Sequence, residues 1–381
     1  MSKVEVPITP EVLQWAIDES GYSAEALAEA ARVDLDELKS WLKGEERPGL
    51  TAVRALAHAL SRQFAVFLLP RPPARSRLEV RFRHLPGVTA RPLTPTERRF
   101  VRKAERIQKM LAWLTKELRE DRPGIPGATI DDDPAEAAVT TRARLGIPDA
   151  TQREWPSASA AFDGWREGVE SLGITVFLFQ MGDRSCRGFS LWHDRAPVIA
   201  VNTAWNDEAR AFTLFHELGH LATRTNSACA GAPPSALSGA WDPTERWCER
   251  FAAGILVPAE PLRQAIIDRL GGNTRHVTDL SGVRRLAHLF HVSLRAITLR
   301  LIELGMANWD LYRALPPAAD AKRGGGGGKG RDRQEIQEDQ LGGRVMDVFR
   351  RAVDADVVTR SEALSYLDVP DAALDVPGIR A

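Results

Sequence analysis

The chain has 381 residues, of which 44% are hydrophobic and 27% are charged, and its formal net charge is zero. These values are ordinary for a globular protein, and the length suggests two or three domains. The three cysteines, Cys186, Cys229 and Cys248, show no paired spacing, as expected of a reduced protein. No apolar run reaches membrane-spanning length and the N-terminus lacks a signal-peptide core, so we expect a cytoplasmic protein without a membrane partner.

Residues 1–72 are predicted to form an all-α domain of short amphipathic helices. A three-residue turn, Arg32 to Asp34, separates the second and third helices, which is the plan of a helix-turn-helix. The segments Gly21-Tyr22-Ser23, Leu27-Ala28 and Trp41-Leu42-Lys43-Gly44 resemble the XRE (phage-repressor-like) family. The predicted helices are Pro10–Glu19, Ala24–Ala31, Leu35–Lys43, Ala52–Leu60 and Phe64–Leu69.

The charge of this domain leaves its role open. A helix that reads DNA needs Arg, Lys, Asn or Gln toward the bases and positive charge toward the phosphates. The third helix instead begins Asp34-Leu35-Asp36-Glu37, and residues 1–72 carry eight Lys and Arg against eleven Asp and Glu. The domain therefore either binds DNA or serves as a repressor-like module for protein docking or dimerisation.

Residues 73–125 are predicted to be a basic helical connector. From Arg71 to Arg122 there are fifteen Lys and Arg against six Asp and Glu. A long helix, Thr94 to Arg119, places apolar residues at helical spacing, namely Phe100, Ala104, Ile107, Leu111 and Leu114. Its basic face is either solvated or a patch for nucleic acid or an acidic partner, so DNA contact through residues 1–122 is one hypothesis.

Residues 126–316 mix helices with three short strands. Helices are predicted at Ala135–Leu145 and Ala158–Leu172, and the strands at Gly173–Phe179, Gly188–Trp192 and Pro197–Val201, in an antiparallel sheet. An edge strand can align an extended peptide by adding it to the sheet. Val198 to Asn202 could be such an edge strand or an ordinary core strand.

The segment Ala211 to Ala222 carries the strongest functional signal. His216-Glu217-x-x-His220 places two imidazoles on one helix face, one turn apart, so that both can bind one zinc ion (Zn²⁺). Glu217 lies beside the first histidine, where it can act as general base. Polar groups inside an apolar helix would cost stability without a partner, which argues against a chance match.

A catalytic zinc needs a third protein ligand, and a helix ending at Pro258 offers candidates. Glu245 and Glu249 are four residues apart and share one face of that helix. Glu245 is the predicted third ligand, and Glu249 could accept the outer N–H of a zinc histidine. In the alternative, both are solvated carboxylates that pair with Arg246 and Arg250.

These residues resemble the ImmA/IrrE family of metallopeptidases. Phe212 to His220 matches its F-T-x-x-H-E-x-x-H helix, and Glu245 with Phe251 to Pro258 matches its second helix. Cys248-Glu249 departs from the Ala-Asn pair usual there, which puts the role of Glu249 in doubt. The resemblance implies an intracellular protease that cuts a transcriptional repressor, often on a stress or phage signal.

The rest of the chain is predicted to be mostly helical. His276, His288 and His291 include no assigned catalytic group, and Leu286 to Ile297 has a second helix-turn-helix pattern. Residues 317–331, with five consecutive glycines, predict a flexible linker. Residues 332–381 then predict a small helical tail, which could be a separate interaction module.

Together these patterns predict an α+β protein with an N-terminal helix-turn-helix domain, a zincin-like metallopeptidase domain and a helical C-terminal tail. The predicted function is a zinc endopeptidase, and the resemblance implies that it regulates transcription or a stress, phage or toxin–antitoxin response by cleaving a repressor-like protein. One alternative is a DNA-binding regulator whose metal site is sensory or inactive. Another is an antitoxin-like interaction protein that uses the zinc domain as a scaffold.

Overall fold

The computed structural model of the chain describes residues 5–73, 93–225, 227–229, 243–270, 276–317, 333–370 and 374. The described residues fall into two compact units. The first contains the residues up to 73 together with 93–103, and the second contains those from 104 onward. None of the described helices combines the length and the apolar character that a membrane span needs.

The first unit is all-helical, as predicted. The turn between its second and third helices begins at Arg32, whose backbone is left-handed with φ 53°, and ends at Asp34, whose carboxylate caps the third helix by accepting the N–H of Asp36 and of Glu37. The last predicted helix is a 3-10 helix. The elements are α1 (Pro10–Ser20), α2 (Ala24–Ala31), α3 (Leu35–Lys43), α4 (Leu50–Ala59) and the 3-10 helix Phe64–Leu68.

The long predicted helix of the connector is present as α5, Pro95–Glu117. It begins with a capping box, in which Thr94 and Glu97 each accept the other's backbone N–H. Its buried stripe contains Val101 instead of the predicted Phe100, which is only half-buried. The remainder of the predicted connector includes residues 74–92, which lie outside the described residues.

The second unit contains a four-stranded sheet packed against helices. Its helices before residue 317 are α6 (Pro134–Leu145), α7 (Asp149–Glu154), α8 (Ala158–Ser171), α9 (Asp207–Ala222), α10 (Pro243–Leu256), α11 (Ala259–Leu270), α12 (Leu280–Phe290), α13 (Leu294–Glu303) and α14 (Trp309–Arg313). The strands are β1 (Thr175–Phe179), β2 (Gly188–Leu191), β3 (Val198–Asn202) and β4 (Ser227–Cys229).

The sheet is mixed, so the prediction of an antiparallel sheet is wrong for one strand pair. The strand order is β1-β3-β2-β4, with β1 and β3 parallel and the other two pairs antiparallel. The chain reverses direction after β1 and again after β2, which restores the direction of β1 when β3 is reached. Because β3 has a hydrogen-bonded neighbour on each side, Val198–Asn202 is an inner strand and not a substrate-aligning edge.

The core of the second unit lies between the sheet and α8, α9 and α10. Trp165 of α8 meets Phe215 of α9 edge to face, with ring centroids 5.1 Å apart. Asn202, at the end of β3, is fully buried and donates to the carbonyls of Gly182 and Cys186 while accepting from Met181 N–H and Ala204 N–H. These bonds fix the loop from which the chain enters α9.

The described C-terminal residues are helical, as predicted, and belong to the second unit. Arg166 of α8 pairs with Asp339 at 3.1 Å, and Arg344 pairs with Glu120 at 2.9 Å. The elements are α15 (Arg333–Leu341), α16 (Gly343–Asp354) and α17 (Arg360–Leu367). The predicted glycine linker falls almost wholly on residues 318–332, outside the described residues.

Candidate metal centre

The helix α9 carries its polar residues into the core. Asn206 caps this helix by accepting the N–H of Ala209 at 2.9 Å. The apolar side chains of α9 are buried, except for that of Phe212, which is partly buried. His216 is 7% exposed, Glu217 0% and His220 1%. Buried imidazoles and carboxylates are costly unless they have partners, so the surroundings of these three residues decide what they do.

Two glycines let α9 approach its neighbours closely. A Cβ atom on Gly219 would lie 3.0 Å from Cys248 Sγ and 3.2 Å from Cys248 Cα, so α9 and α10 are in near-backbone contact there. A Cβ atom on Gly188 of β2 would lie 2.6 Å from Thr213 Cγ2 and 3.5 Å from Glu217 Cγ. Side chains at these positions would push α9 away from α10 or from the sheet.

The C-terminal end of α10 is held by three side chains from other elements. Arg142 donates to the carbonyl of Ile255 at 2.5 Å, and Gln152 donates to that of Leu256 at 2.9 Å. Arg300 of α13 donates to the carbonyl of Val257 at 3.0 Å. Carbonyls at a helix end lack partners within the helix, so these bonds satisfy a buried helix terminus and fix α10 in place.

The close approach of the two helices brings three metal-ligand atoms together. The Nε2 atom of His216 lies 3.1 Å from Glu245 Oε2, and that of His220 lies 3.4 Å from Glu245 Oε1. The two Nε2 atoms are 3.3 Å apart. Ligand atoms at roughly 2.0–2.2 Å from a tetrahedral ion lie about 3.3–3.6 Å from one another. The cluster of His216, His220 and Glu245 could therefore hold one metal ion.

The charges around the cluster favour a cation. Burial by itself would lower the pKa of His216, but the hydrogen bond and charge of Glu245, with the charges of Glu217 and Glu249, raise it to about 9. Burial would raise the pKa of Glu245, yet hydrogen bonds from both histidines hold it well below its usual range. Burial, followed by the charge of Glu245, raises the pKa of Glu249 to about 7 against the opposing effect of His216. Without a metal, a proton on His216 supplies the positive charge.

Thr225 orients the second histidine, and sequence reasoning missed it. Its hydroxyl donates to the carbonyl of His220 at 3.1 Å and lies 3.1 Å from His220 Nδ1. The same oxygen can accept the Nδ1–H, which orients the ring with Nε2 toward the cluster. The predicted partner for a histidine, Glu249, lies close enough to affect the pKa of His216. That Glu249 accepts an imidazole N–H stays a prediction.

Other candidate groups lie elsewhere. His288 and His291 neighbour each other at 6.1 Å between ring centroids, on α12 and the turn that follows it. Within the described residues, neither these histidines nor His276 belongs to the metal-ligand cluster. The aspartate run before α6 is a cap and a loop, in which Asp133 accepts the N–H of Ala135 and Asp132 that of Thr129.

Comparison with known proteins locates a family match on the segment that contains this cluster. Residues 169–301, about a third of the chain, match the model of the Peptidase M78 family, described as the IrrE N-terminal-like domain. No curated protein matches the chain. The matched segment runs from the end of α8 through β1, α9 and α10 into α13. It supports membership in the ImmA/IrrE family and a metallopeptidase-type enzyme.

Proposed function

We propose that this chain is a zinc-dependent endopeptidase. The observation that carries the proposal is the convergence of three donor atoms, two from α9 and one from α10, at spacings of 3.1–3.4 Å beside a buried glutamate. Two imidazoles and one carboxylate form the donor set of a catalytic zinc, which leaves one position for water. The family match supports the same reaction class.

Each residue then has one task. His216, His220 and Glu245 would hold the ion, and Thr225 orients the ring of His220. Zinc, when bound, supplies Lewis acidity that polarises a scissile carbonyl and makes a water molecule more acidic. Glu217, next to His216 in the chain and buried against Gly188, would accept a proton from the attacking water and deliver it to the leaving amine.

The substrate class and the role of the first unit are part of the proposal. We infer that the substrate is a transcriptional repressor or antitoxin-like protein in the cytoplasm, because ImmA/IrrE proteins have such substrates. The first unit supplies an XRE-like helix-turn-helix for docking. Its α3 exposes Asp36 and Glu37 in the first turn, which favours a protein partner over a DNA groove.

Metal analysis of purified protein tests the centre. We expect one zinc ion per chain in the wild type and in Glu260→Ala, a change at an exposed glutamate of α11 that serves as control. Glu245→Ala should lose the metal. Zinc retained in full by Glu245→Ala, or absent from the wild type after zinc reconstitution, would overturn the proposal.

A second variant tests catalysis apart from metal binding. Glu217→Gln should keep its zinc and lose the cleavage of a proteome-derived peptide library read by mass spectrometry. Equal cleavage patterns from wild type and Glu217→Gln would exclude Glu217 as the base. Regulation that survives in Glu217→Gln cells would favour the second candidate, a DNA-binding regulator with a sensory metal site, for which the three-residue turn between α2 and α3 is the supporting observation.

A mobility assay with the full chain addresses DNA. Salt-sensitive, sequence-specific binding would make the first unit a DNA reader. Its absence, with co-purification of a repressor-like protein, would support docking to protein.

A further inference from the structure

The second unit has a cavity of about 580 Å³ that the metal centre does not use. This volume lies within the range of small-molecule sites, roughly 300–1,000 Å³. The cavity lies between the starts of α8 and α9, the turn from α12 to α13, and the prolines after α14. Its polar lining residues are Ser157, Asn206, Glu208, Arg284, His288, His291, Ser293 and Arg295.

The charged side chains that line the cavity are mainly basic. They are the two arginines Arg284 and Arg295 and one carboxylate, Glu208, and the imidazoles of His288 and His291 add two further nitrogen-bearing groups. Arg295 stacks over the Tyr312 ring at 5.3 Å and donates through Nη2 to the Pro316 carbonyl at 3.3 Å. Its buried Nε–H has no acceptor among the described residues. A guanidinium held in place with a spare donor is suited to an oxyanion.

Three helices begin at this cavity, which adds to its positive potential. Ser157, Asn206 and Ser293 are the N-caps of α8, α9 and α13, and all three line the cavity. Each cap accepts one first-turn N–H, and the other N–H groups of each first turn have no partner within the helix. A helix N-terminus carries about half a positive charge, which favours a phosphate or carboxylate nearby.

The rest of the lining is apolar, so the ligand is not a bare ion. Ala287, Val292 and Leu294 supply one apolar side, and Pro156 with Pro316 supplies another. We propose that this cavity binds a small organic phosphate, whose phosphate group contacts Arg284 and Arg295 while its apolar body packs against the aliphatic residues. Two guanidinium groups and three helix N-termini against one carboxylate match a dianion better than a monoanion.

This site is distinct from the metal centre. Asn206 precedes His216 by ten residues, which is about 15 Å along a helix. The ligand would therefore contact the first turn of α9 and not the metal-ligand atoms. Binding should persist in Glu245→Ala, so failure of the zinc proposal and failure of this one are distinguishable.

The test is calorimetric titration of the full chain with phenyl phosphate, inorganic phosphate and benzoate. We expect phenyl phosphate to bind at least tenfold more tightly than either of the others, because each lacks the dianion or the apolar body. Arg284→Ala should weaken phenyl phosphate binding at least tenfold. Arg285→Ala, at the next residue of α12, exposed and outside the cavity lining, should change it less than twofold.

Several outcomes would overturn the proposal. Equal losses in Arg284→Ala and Arg285→Ala would show general charge attraction. Benzoate binding as tightly as phenyl phosphate would exclude a phosphate site. Undetectable binding of phenyl phosphate by the wild-type chain at millimolar concentration would exclude the site altogether.

Discussion

The α2–α3 and α12–α13 helix pairs share one turn geometry and differ in what the second helix faces. In each pair the first helix ends at a left-handed residue with φ 53° and ψ 45°, Arg32 or His291. A valine follows, and its N–H bonds the carbonyl of an alanine five residues earlier at 3.0 Å in both pairs. A capping residue, Asp34 or Ser293, then starts the second helix.

The second helices have different surroundings. In α3, Asp36, Glu37 and Lys39 are exposed, whereas α13 exposes Glu303 alone among its ten residues. Arg300 of α13 points inward and holds the carbonyl of Val257 beyond the end of α10. The sequence of the turn therefore specifies how the two helices join, but it does not specify which face of the second helix is exposed. Of the two pairs, the first leaves a charged face of its second helix exposed, while the second holds the end of α10 and lines the cavity.

Removal of the metal gives the largest expected difference between the two pairs. Zinc at a thousandfold excess over its Kd should stabilise the second unit by about 4 kcal/mol, because the ion binds the folded unit alone. The first unit contains none of the proposed ligands and should not respond. Hydrogen–deuterium exchange, measured with zinc and with chelator, reports the response of each unit separately. Equal changes in α2–α3 and α12–α13 peptides would contradict this expectation.

The pH dependence of metal binding is the next largest effect. The pKa of His216 is raised to about 9 in the metal-free protein, so at pH 7 the ring holds a proton that a metal must displace. Zinc affinity should rise about tenfold from pH 7 to 8 and about fiftyfold from pH 7 to 9, because the ring is half deprotonated at its pKa. Calorimetry in buffers of different ionisation enthalpy should show about one proton released from His216 at pH 7. A pH-independent affinity would place His216 outside the site.

The raised pKa of His216 also makes the stability of the metal-free second unit depend on pH. A pKa raised above the ordinary value of 6.5 gives stabilisation that is complete below pH 6.5 and lost as the pH rises through about 9. The first unit lacks this group. Denaturant midpoints of the metal-free chain should therefore fall for the second unit alone across that range.

Arg300→Ala tests whether α13 supports α10, the helix that carries Glu245. The change removes the donor to Val257 and an ion pair with Glu303 at 2.7 Å, and it leaves a buried carbonyl unpaired. We expect the second unit to lose about 2 kcal/mol of unfolding free energy, measured by urea titration. Lys39→Ala at an exposed site of α3 is the control and should change the first unit by less than about 0.5 kcal/mol. If Arg300→Ala and Lys39→Ala lowered the unfolding free energy of their units by similar amounts, α13 would not support α10.

Features that depend on local sequence could be predicted. The helices α2, α3 and α9 were predictable because their caps and apolar spacing are local, and His216 with His220 is a local pair. Glu245 came from a second local pattern, and the structure places it beside both imidazoles.

The unpredicted features depend on contacts between distant segments. Thr225 has no distinctive spacing, and its role depends on how the chain leaves α9. Gly188 and Gly219 matter only once β2 and α10 lie against α9. The direction of β1 relative to β3, and the docking of the C-terminal helices through Arg166 and Glu120, likewise follow from tertiary packing.

The smallest expected effect uses the matched caps. Asp34 accepts the N–H of Asp36 at 2.9 Å, and Ser293 accepts that of Ala296 at 3.2 Å. Because both caps satisfy an otherwise unpaired N–H, Asp34→Ala and Ser293→Ala should each cost about 1 kcal/mol, each in its own unit. Since α13 bonds the end of α10 through Arg300 and α3 belongs to the other unit, only Ser293→Ala should also raise hydrogen exchange at the end of α10. Increased exchange there in Asp34→Ala would mean that the two helix pairs are energetically coupled, and the separation of roles between them would fail.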